Sequence, residues 1–206
     1  MNYKISKITD ELLEESIDVL CDSIQDDPNK VYYFPEKAER EKNTKWIIRK
    51  MMTALQRFHH NYVVIQNSKV VAVSCWIPPK EKLNLYLLIK TGLCILPFKF
   101  GVKVFKKIIS SFNISDSNIN KFVPVKSYWQ LFYLGVAPEH QGKGLGSAII
   151  KPILDQAKEN GETIILENFT VENTKFYEKN GFRVVTKMEL EEGILMRLMM
   201  LSPNKT

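Results

Sequence analysis

The chain has 206 residues, which suits one compact domain with a full core and room for an insertion. Hydrophobic residues make up 45% and charged residues 25%, an ordinary globular balance. The net charge of +6 either marks an anionic partner (nucleic acid, an acidic membrane surface or a polyphosphate) or is a solvated lysine-rich surface. Cys21, Cys75 and Cys94 are odd in number and include no close-spaced pair, which argues against a disulfide framework or a zinc site. Residues 1–10 are polar and lack the apolar core of a signal peptide, so a cytoplasmic location is expected. The most apolar stretch, residues 83–109, is broken by Lys90, Pro97 and Lys99 before the roughly 20 residues of a membrane-spanning helix.

Residues 2–8 alternate enough for a short strand. Asp10 then reads as an N-cap, with Leu12, Leu13, Ile17, Val19 and Leu20 as a helical stripe through Ile24. Asp26, Asp27, Pro28 and Asn29 are turn chemistry. Pro35 fits the first position of a second helix, in which Trp46, Ile47, Met51, Ala54, Leu55 and Phe58 recur at helical spacing. Residues 62–66 and 70–77 predict a hairpin around Asn67-Ser68-Lys69, ended by Pro78-Pro79. A helical insertion follows over about residues 83–112, in two pieces separated near Pro97, with a polar loop at 113–120.

Residues 129–136 predict a strongly apolar strand, 142–146 a glycine-rich loop, and 147–160 a helix closed by Gly161. A strand (163–167), a short helix (172–179) with Gly181 after it, and two last strands (183–188 and 194–201) around Gly193 complete the order. The helix between the strands at 129–136 and 163–167 makes them parallel neighbours by a crossover. The economical reading is a single α/β domain over 1–206, a mixed sheet flanked by helices.

Gln141-Gly142-Lys143-Gly144-Leu145-Gly146-Ser147 lies between an apolar strand and a helix. A helix N-terminus exposes unpaired N–H groups and carries about half a positive charge. Glycines let backbone approach an anion closely, so the arrangement suits a phosphate, or is simply a flexible turn. It is not a Walker loop, because Gly144 follows Lys143 where Ser or Thr is needed. Nor is it a dinucleotide fingerprint, because its third glycine comes one residue early.

Leu134-Gly135-Val136-Ala137-Pro138-Glu139-His140 precedes this loop, and the combination resembles motif A of the GCN5-related N-acetyltransferases (GNAT), with Gln141, Gly144 and Gly146 at its defining positions. The stretch from Glu172 through Asn173, Phe176 and Tyr177 to Gly181-Phe182 is similar to a second signature of that family. Narrower likeness to the puromycin N-acetyltransferase-like branch lies in Ser127–Leu131, Pro152, Leu166-Glu167, Asp27-Pro28, Phe34-Pro35 and Trp76–Pro79.

The resemblance implies a GNAT fold, acetyl-CoA as cosubstrate and no metal. It places the cofactor's pyrophosphate on Gln141, Gly142, Lys143, Gly144, Leu145, Gly146 and Ser147, and its pantetheine arm along Leu134, Gly135 and Val136. Lys143 adds charge near phosphate or is a solvated lysine. Phe176 and Asn173 fall on the cofactor side; Asn173 is otherwise a polar residue near a helix start. Gly135 permits a bulge in this reading. The Val136 N–H is the expected oxyanion donor. Tyr177 holds the position of the acid that protonates the departing thiolate, or packs beside Phe176. Glu167 is the candidate base, or else orients substrate or forms a structural ion pair. Asp26, Asp27 and Glu36 are alternative carboxylates. His59, His60 and His140 form no ligand constellation.

Residues Leu85, Tyr86, Leu88, Ile95, Phe98 and Phe100 of the insertion suit a pocket for a bulky amine, a contribution to the core, or a basic surface that touches a membrane. The expected reaction is acetyl transfer to a primary amine of a small molecule, by a monomer or homodimer with neither nucleic acid nor a stable membrane insertion as partner. A protein or peptide acetyltransferase and a non-catalytic CoA-binding module are the alternatives.

Overall fold

The computed structural model describes residues 2–83, 85–190 and 193–203. Its seven strands are β1 (Lys4–Lys7), β2 (Asn61–Gln66), β3 (Lys69–Ile77), β4 (Tyr128–Val136), β5 (Thr163–Asn168), β6 (Arg183–Glu189) and β7 (Leu195–Leu201). They form one sheet in the order β1-β2-β3-β4-β5-β7-β6, antiparallel throughout except for the parallel β4–β5 pair. The β2–β3 hairpin turns at Asn67 and Ser68, whose φ values of 51° and 61° are the two left-handed residues of a type I′ turn.

Helices α1 (Asp10–Ile24) and α3 (Lys37–Gln56) cover one face of the sheet. Ile17, Leu20, Ile48 and Met52 pack there on Val63, Val73 and Cys75. Helix α6 (Leu145–Glu159) covers the other, with Ile149, Ile150 and Ile153 against Val64, Ala72, Trp76, Trp129 and Leu131. Successive strand residues point to opposite faces, so strands buried on both sides read as unbroken apolar runs. Burying each α6 isoleucine stabilises the fold by about 1.5–3 kcal/mol relative to its exposure. Helix α7 (Val171–Lys179) starts on Thr170, whose hydroxyl accepts from the Asn173 N–H at 3.1 Å.

Two segments differ from the sequence reading. The presumed turn at 26–29 opens a helix, α2 (Pro28–Tyr33), with Pro28 in its first turn and Tyr32, Tyr33 and Phe34 buried. Beyond it, α3 begins at Lys37 rather than Pro35. The insertion is α4 (Leu85–Lys90), a short 3₁₀ turn, and α5 (Leu96–Phe122). Residue 84 and the side chains of Leu85 and Leu88, assigned above to an acceptor pocket, lie outside the described residues.

The two helical pieces do part near Pro97, which sits in the first turn of α5, where a missing N–H is tolerated. A second break falls inside α5 at Gly101, at φ 79° and ψ 160°. The expected polar loop at 113–120 is helical. Ile108, Ser111, Ser115 and Ile119 form its buried stripe. Its polar side chains bond within the helix: Ser111 Oγ donates to Lys107 O at 3.0 Å, and Asn118 Nδ2 to Ile114 O at 2.8 Å.

Strand β4 carries one extra residue against β3. The register passes from Cys75↔Tyr133 to Trp76↔Leu131, leaving Phe132 as the bulge. Gly135 was expected to permit that irregularity, yet it sits in regular pairing with Val73. Its glycine identity answers to α1: a Cβ there would collide with Ser23 Oγ and lie 2.9 Å from Leu20 Cδ2. We therefore expect Gly135→Ala to destabilise the fold by about 2 kcal/mol, read as a lowered urea midpoint, with partial recovery on adding Ser23→Gly. An unchanged midpoint would mean that α1 does not press on β4.

Candidate active site

Strands β4 and β5 pair only over their first four positions, from Tyr128↔Thr163 to Leu131↔Leu166. Beyond them β4 runs on from Phe132 to Val136 with β3 on one side and no β5 partner on the other. The direction of its backbone groups follows from the ladder. Ala137 N–H donates to Val71 O at 2.9 Å, so positions 137 and 135 bond toward β3. In an antiparallel pair bonded and non-bonded positions alternate. Leu134 and Val136 therefore turn their N–H and C=O groups into the space between β4 and β5. The Val136 carbonyl confirms the direction: it accepts from Gln141 Nε2 at 3.1 Å.

At the end of β4, Gly142 (φ 72°) and Gly144 (φ 79°) take left-handed conformations that bend the chain into α6. Gly144 is the N-cap residue and no side chain caps the first turn, so the Leu145, Gly146 and Ser147 N–H groups have no partner within the helix. Gly146 has a packing role as well, since a Cβ on it would lie 3.2 Å from Phe176 Cζ. This contact seats α7 against the start of α6. Lys143 is exposed, its ammonium donating to Glu139 O at 2.7 Å. Asn173 is exposed in the first turn of α7.

Tyr177 and Glu167 come from opposite faces of the sheet. Tyr177 is buried in the α6–α7 layer, its ring 5.0 Å from Phe176 and 5.8 Å from Phe182. Burial, and then the Asp27 carboxylate, push its phenol well above the usual tyrosine range, so it stays protonated. Glu167 lies one position past the last β4–β5 pair, on the face that Ile165 shares with α5. Loss of water raises its carboxyl to about 7; the Ser115 hydroxyl opposes the shift as a hydrogen-bonding neighbour and Asp116 adds to it. Its Oε1 is buried without a hydrogen-bond partner.

Of the alternative carboxylates, Asp26 is held by Arg40 at 2.9 Å, and the same guanidinium donates to Phe34 O and Pro35 O. Glu36 is exposed at the start of α3. Asp27 is different: desolvation raises it to about 6 against the pull of Lys30, and Tyr177 responds to its charge from the other layer. The sequence reading did not find Lys30, Tyr33, Ser111, Ser115 or Tyr128. Burial lowers the Lys30 ammonium, while Tyr33, bonded to Ser111, and Tyr128 are both raised by burial and by Glu167. Spacing offered one signal, the four-residue step from Ser111 to Ser115.

The insertion divides the residues assigned to it. Phe100 packs on Phe34 and Trp46, with centroids 5.1 and 5.4 Å apart. Tyr86, Ile95 and Phe98 are exposed, Phe98 to 91%, so they do not enclose an acceptor. Among the described residues no group of histidine, cysteine and acidic side chains is placed to hold a metal. None of their helices is long and apolar enough to cross a membrane.

The model of the acetyltransferase (GNAT) domain matches residues 107–184, from α5 to the start of β6. An uncharacterized N-acetyltransferase of Schizosaccharomyces pombe is 27% identical over 169 residues, 79% of this chain and 67% of that protein. A probable serine/threonine-protein kinase of Dictyostelium discoideum is 25% identical over 187 residues, and the chain spans 20% of its length. Among solved structures, histone acetyltransferase HPA2 and related acetyltransferase from Corynebacterium glutamicum superposes with a TM-score of 0.72 at 17% identity, covering 100% of this chain and 99% of that one. A putative arylalkylamine N-acetyltransferase 7 of Aedes aegypti gives 0.70 at 15% identity, covering 97% and 87%. The chain has the fold of the GNAT acetyltransferases, and the likeness of residues 107–184 to that domain supports an acyltransferase.

Proposed function

We propose that the chain transfers an acetyl group from acetyl-CoA to a primary amine of a small molecule. The observation that carries this is the open end of the β4–β5 pair, where Leu134 and Val136 turn main-chain groups away from β3 and Glu167 lies one position past the last pair. The chain's own features fit the cosubstrate. The uncapped N–H groups at Gly144–Ser147 suit its pyrophosphate, and Leu134 and Val136 present a strand edge to the amides of its pantetheine arm. Acetyl-CoA supplies the acetyl group as an activated thioester.

Glu167 takes the proton from the amine nitrogen, because its carboxyl titrates near neutrality and has an unpartnered oxygen. Ser115 positions that carboxyl. The Val136 N–H donates to the carbonyl oxygen as charge gathers there. The Tyr177 hydroxyl gives its proton to the departing sulfur. Asp27 and Lys30 set the field on the acceptor side. Walls formed by α2 and α5 with buried Tyr32, Tyr33 and Phe34 favour a compact amine over an extended peptide. The arylalkylamine description of the Aedes neighbour points to the same substrate class. The residues quoted for the puromycin N-acetyltransferase-like branch support a place beside it, and unpaired cysteines support the cytoplasm.

Acetyl-CoA is expected to raise the melting temperature, and Gly144→Val to abolish that rise, since a β-branched residue resists φ 79°. Persistence of the shift in the variant would remove the loop from cofactor binding. Tyr177→Phe is expected to keep the cofactor-induced shift and lose about 10²-fold in kcat, measured by thiol release over an amine panel.

The rising limb of kcat/KM against pH should centre near 7, where Glu167 deprotonates. Ser115→Ala removes the group that holds this value down, so the limb moves to higher pH. Glu167→Gln should lower kcat/KM by at least about 10²-fold. The native carboxyl is raised from 4.5 in the unfolded chain to about 7 when folded. Its contribution to stability is thus present below the lower value and lost as pH rises through the upper. The Gln variant should therefore gain stability relative to the native chain across that interval; a pH-independent difference would place Glu167 in ordinary solvent.

A further inference from the structure

The chain's surplus of positive charge is concentrated on one feature. Residues 85–122 hold six lysines against the single acid Asp116, a surplus of five out of a net +6. The remainder of the chain is almost neutral. Lys107 is occupied, donating to Tyr32 O at 3.1 Å with its ammonium over the Tyr32 ring. Lys99 leans on Trp46 and Phe100, while Lys90, Lys103 and Lys106 are exposed.

The same segment carries seven of the twelve large apolar side chains exposed among the described residues. Phe98, 91% exposed, stands just before the Gly101 break, and Val102, 60% exposed, just after it. On the helix that follows, Val102, Lys106 and Ile109 fall on one stripe at i, i+4 and i+7, with Lys103 beside it. The opposite stripe is the buried one of Ile108, Ser111, Ser115 and Ile119. Helix α5 is therefore amphipathic in two senses. One side completes the core beside Glu167, and the other presents lysines interleaved with uncovered aromatic and aliphatic groups.

We propose that the outer face of α4 and α5 docks the protein on an anionic membrane surface. Phe98 and Val102 enter the boundary of headgroups and acyl chains, and Lys90, Lys103 and Lys106 meet the headgroup charge. Charge complementarity selects this occupant. Nucleic acid would use the lysines but leave the aliphatic stripe in water, and a second copy would bring a surplus of five against a surplus of five. An apolar stripe flanked by lysines on a helix too polar to span is the pattern of an interfacial helix. The docking needs no knowledge of the acetyl acceptor and does not rest on the proposed reaction.

The test is co-sedimentation of the whole chain with vesicles of phosphatidylcholine alone and of phosphatidylcholine containing about a third phosphatidylserine. The protein should pellet with the acidic vesicles, less so as salt is added, and stay in solution with the neutral ones. Lys103→Glu with Lys106→Glu, and separately Phe98→Ser, should each weaken binding by about tenfold or more. All three are surface changes, so melting temperature and acetyl transfer to a soluble amine are read alongside and should not move. No pelleting with acidic vesicles overturns the proposal. So does equal pelleting with both compositions, binding that both variants retain, or sedimentation velocity showing that the face pairs two copies while vesicles are ignored.

Discussion

Everything at the candidate site depends on two parallel strands that begin together and then part. A backbone N–H or C=O left without a partner away from water costs free energy comparable to a lost hydrogen bond. Strand β4 turns the N–H and C=O groups of Leu134 and Val136 toward the gap because β5 departs after Leu166, and the Val136 carbonyl is taken up there by Gln141 Nε2. The surrounding packing holds this arrangement in place. The bulge at Phe132 lies just past the last β4–β5 pair, and α1 presses Leu20 and Ser23 onto Gly135 from one face. On the other face Val136 lies in the α6 core cluster, close to Gly146. The open edge is thus fixed by neighbours on β3, α1 and α6, none of which fills it.

Burial dominates the electrostatics of the site, and the Asp27 charge is a smaller contribution at Tyr177. Burial acts on the groups in opposite chemical directions that suit one reaction. It lifts the Glu167 carboxyl to about 7, where it can accept a proton at neutral pH, and it keeps the Tyr177 phenol protonated, where it can donate one. The insertion contributes to this through its inner stripe, because Ser115 opposes the Glu167 shift and Ser111 bonds Tyr33.

What was legible in the sequence was local. The glycine loop, the strand before it and the α7 signature are contiguous, and their spacing encodes turn and helix geometry directly. The reading placed β4 and β5 as parallel neighbours because a helix of suitable length joins them. What was not legible arises between distant segments. Nothing near Asn113–Asn120 says that Ser115 will lie under Glu167, so a polar run read as a loop. The turn residues Asp26–Asn29 gave no sign that Tyr32 and Tyr33 would be covered by α5 and reward a helix there. Gly135 was recognised as special, but its reason lay on α1, more than a hundred residues away. The aromatic content of the insertion could not announce which side chains turn inward; Phe100 does and Phe98 does not.

The strand order carries a consequence for assembly. Strand β6 has β7 as its one sheet neighbour, yet β7 follows it in the chain and separates it from β5. A growing polypeptide therefore holds β6 without a place to dock until the next strand has emerged and slotted in beside β5. Until then the outer edge of β5 is bare, and an uncovered edge is a template for pairing with another chain. The order of synthesis and the order of closure differ at this corner of the sheet, and in the interval between them that edge is open to another chain.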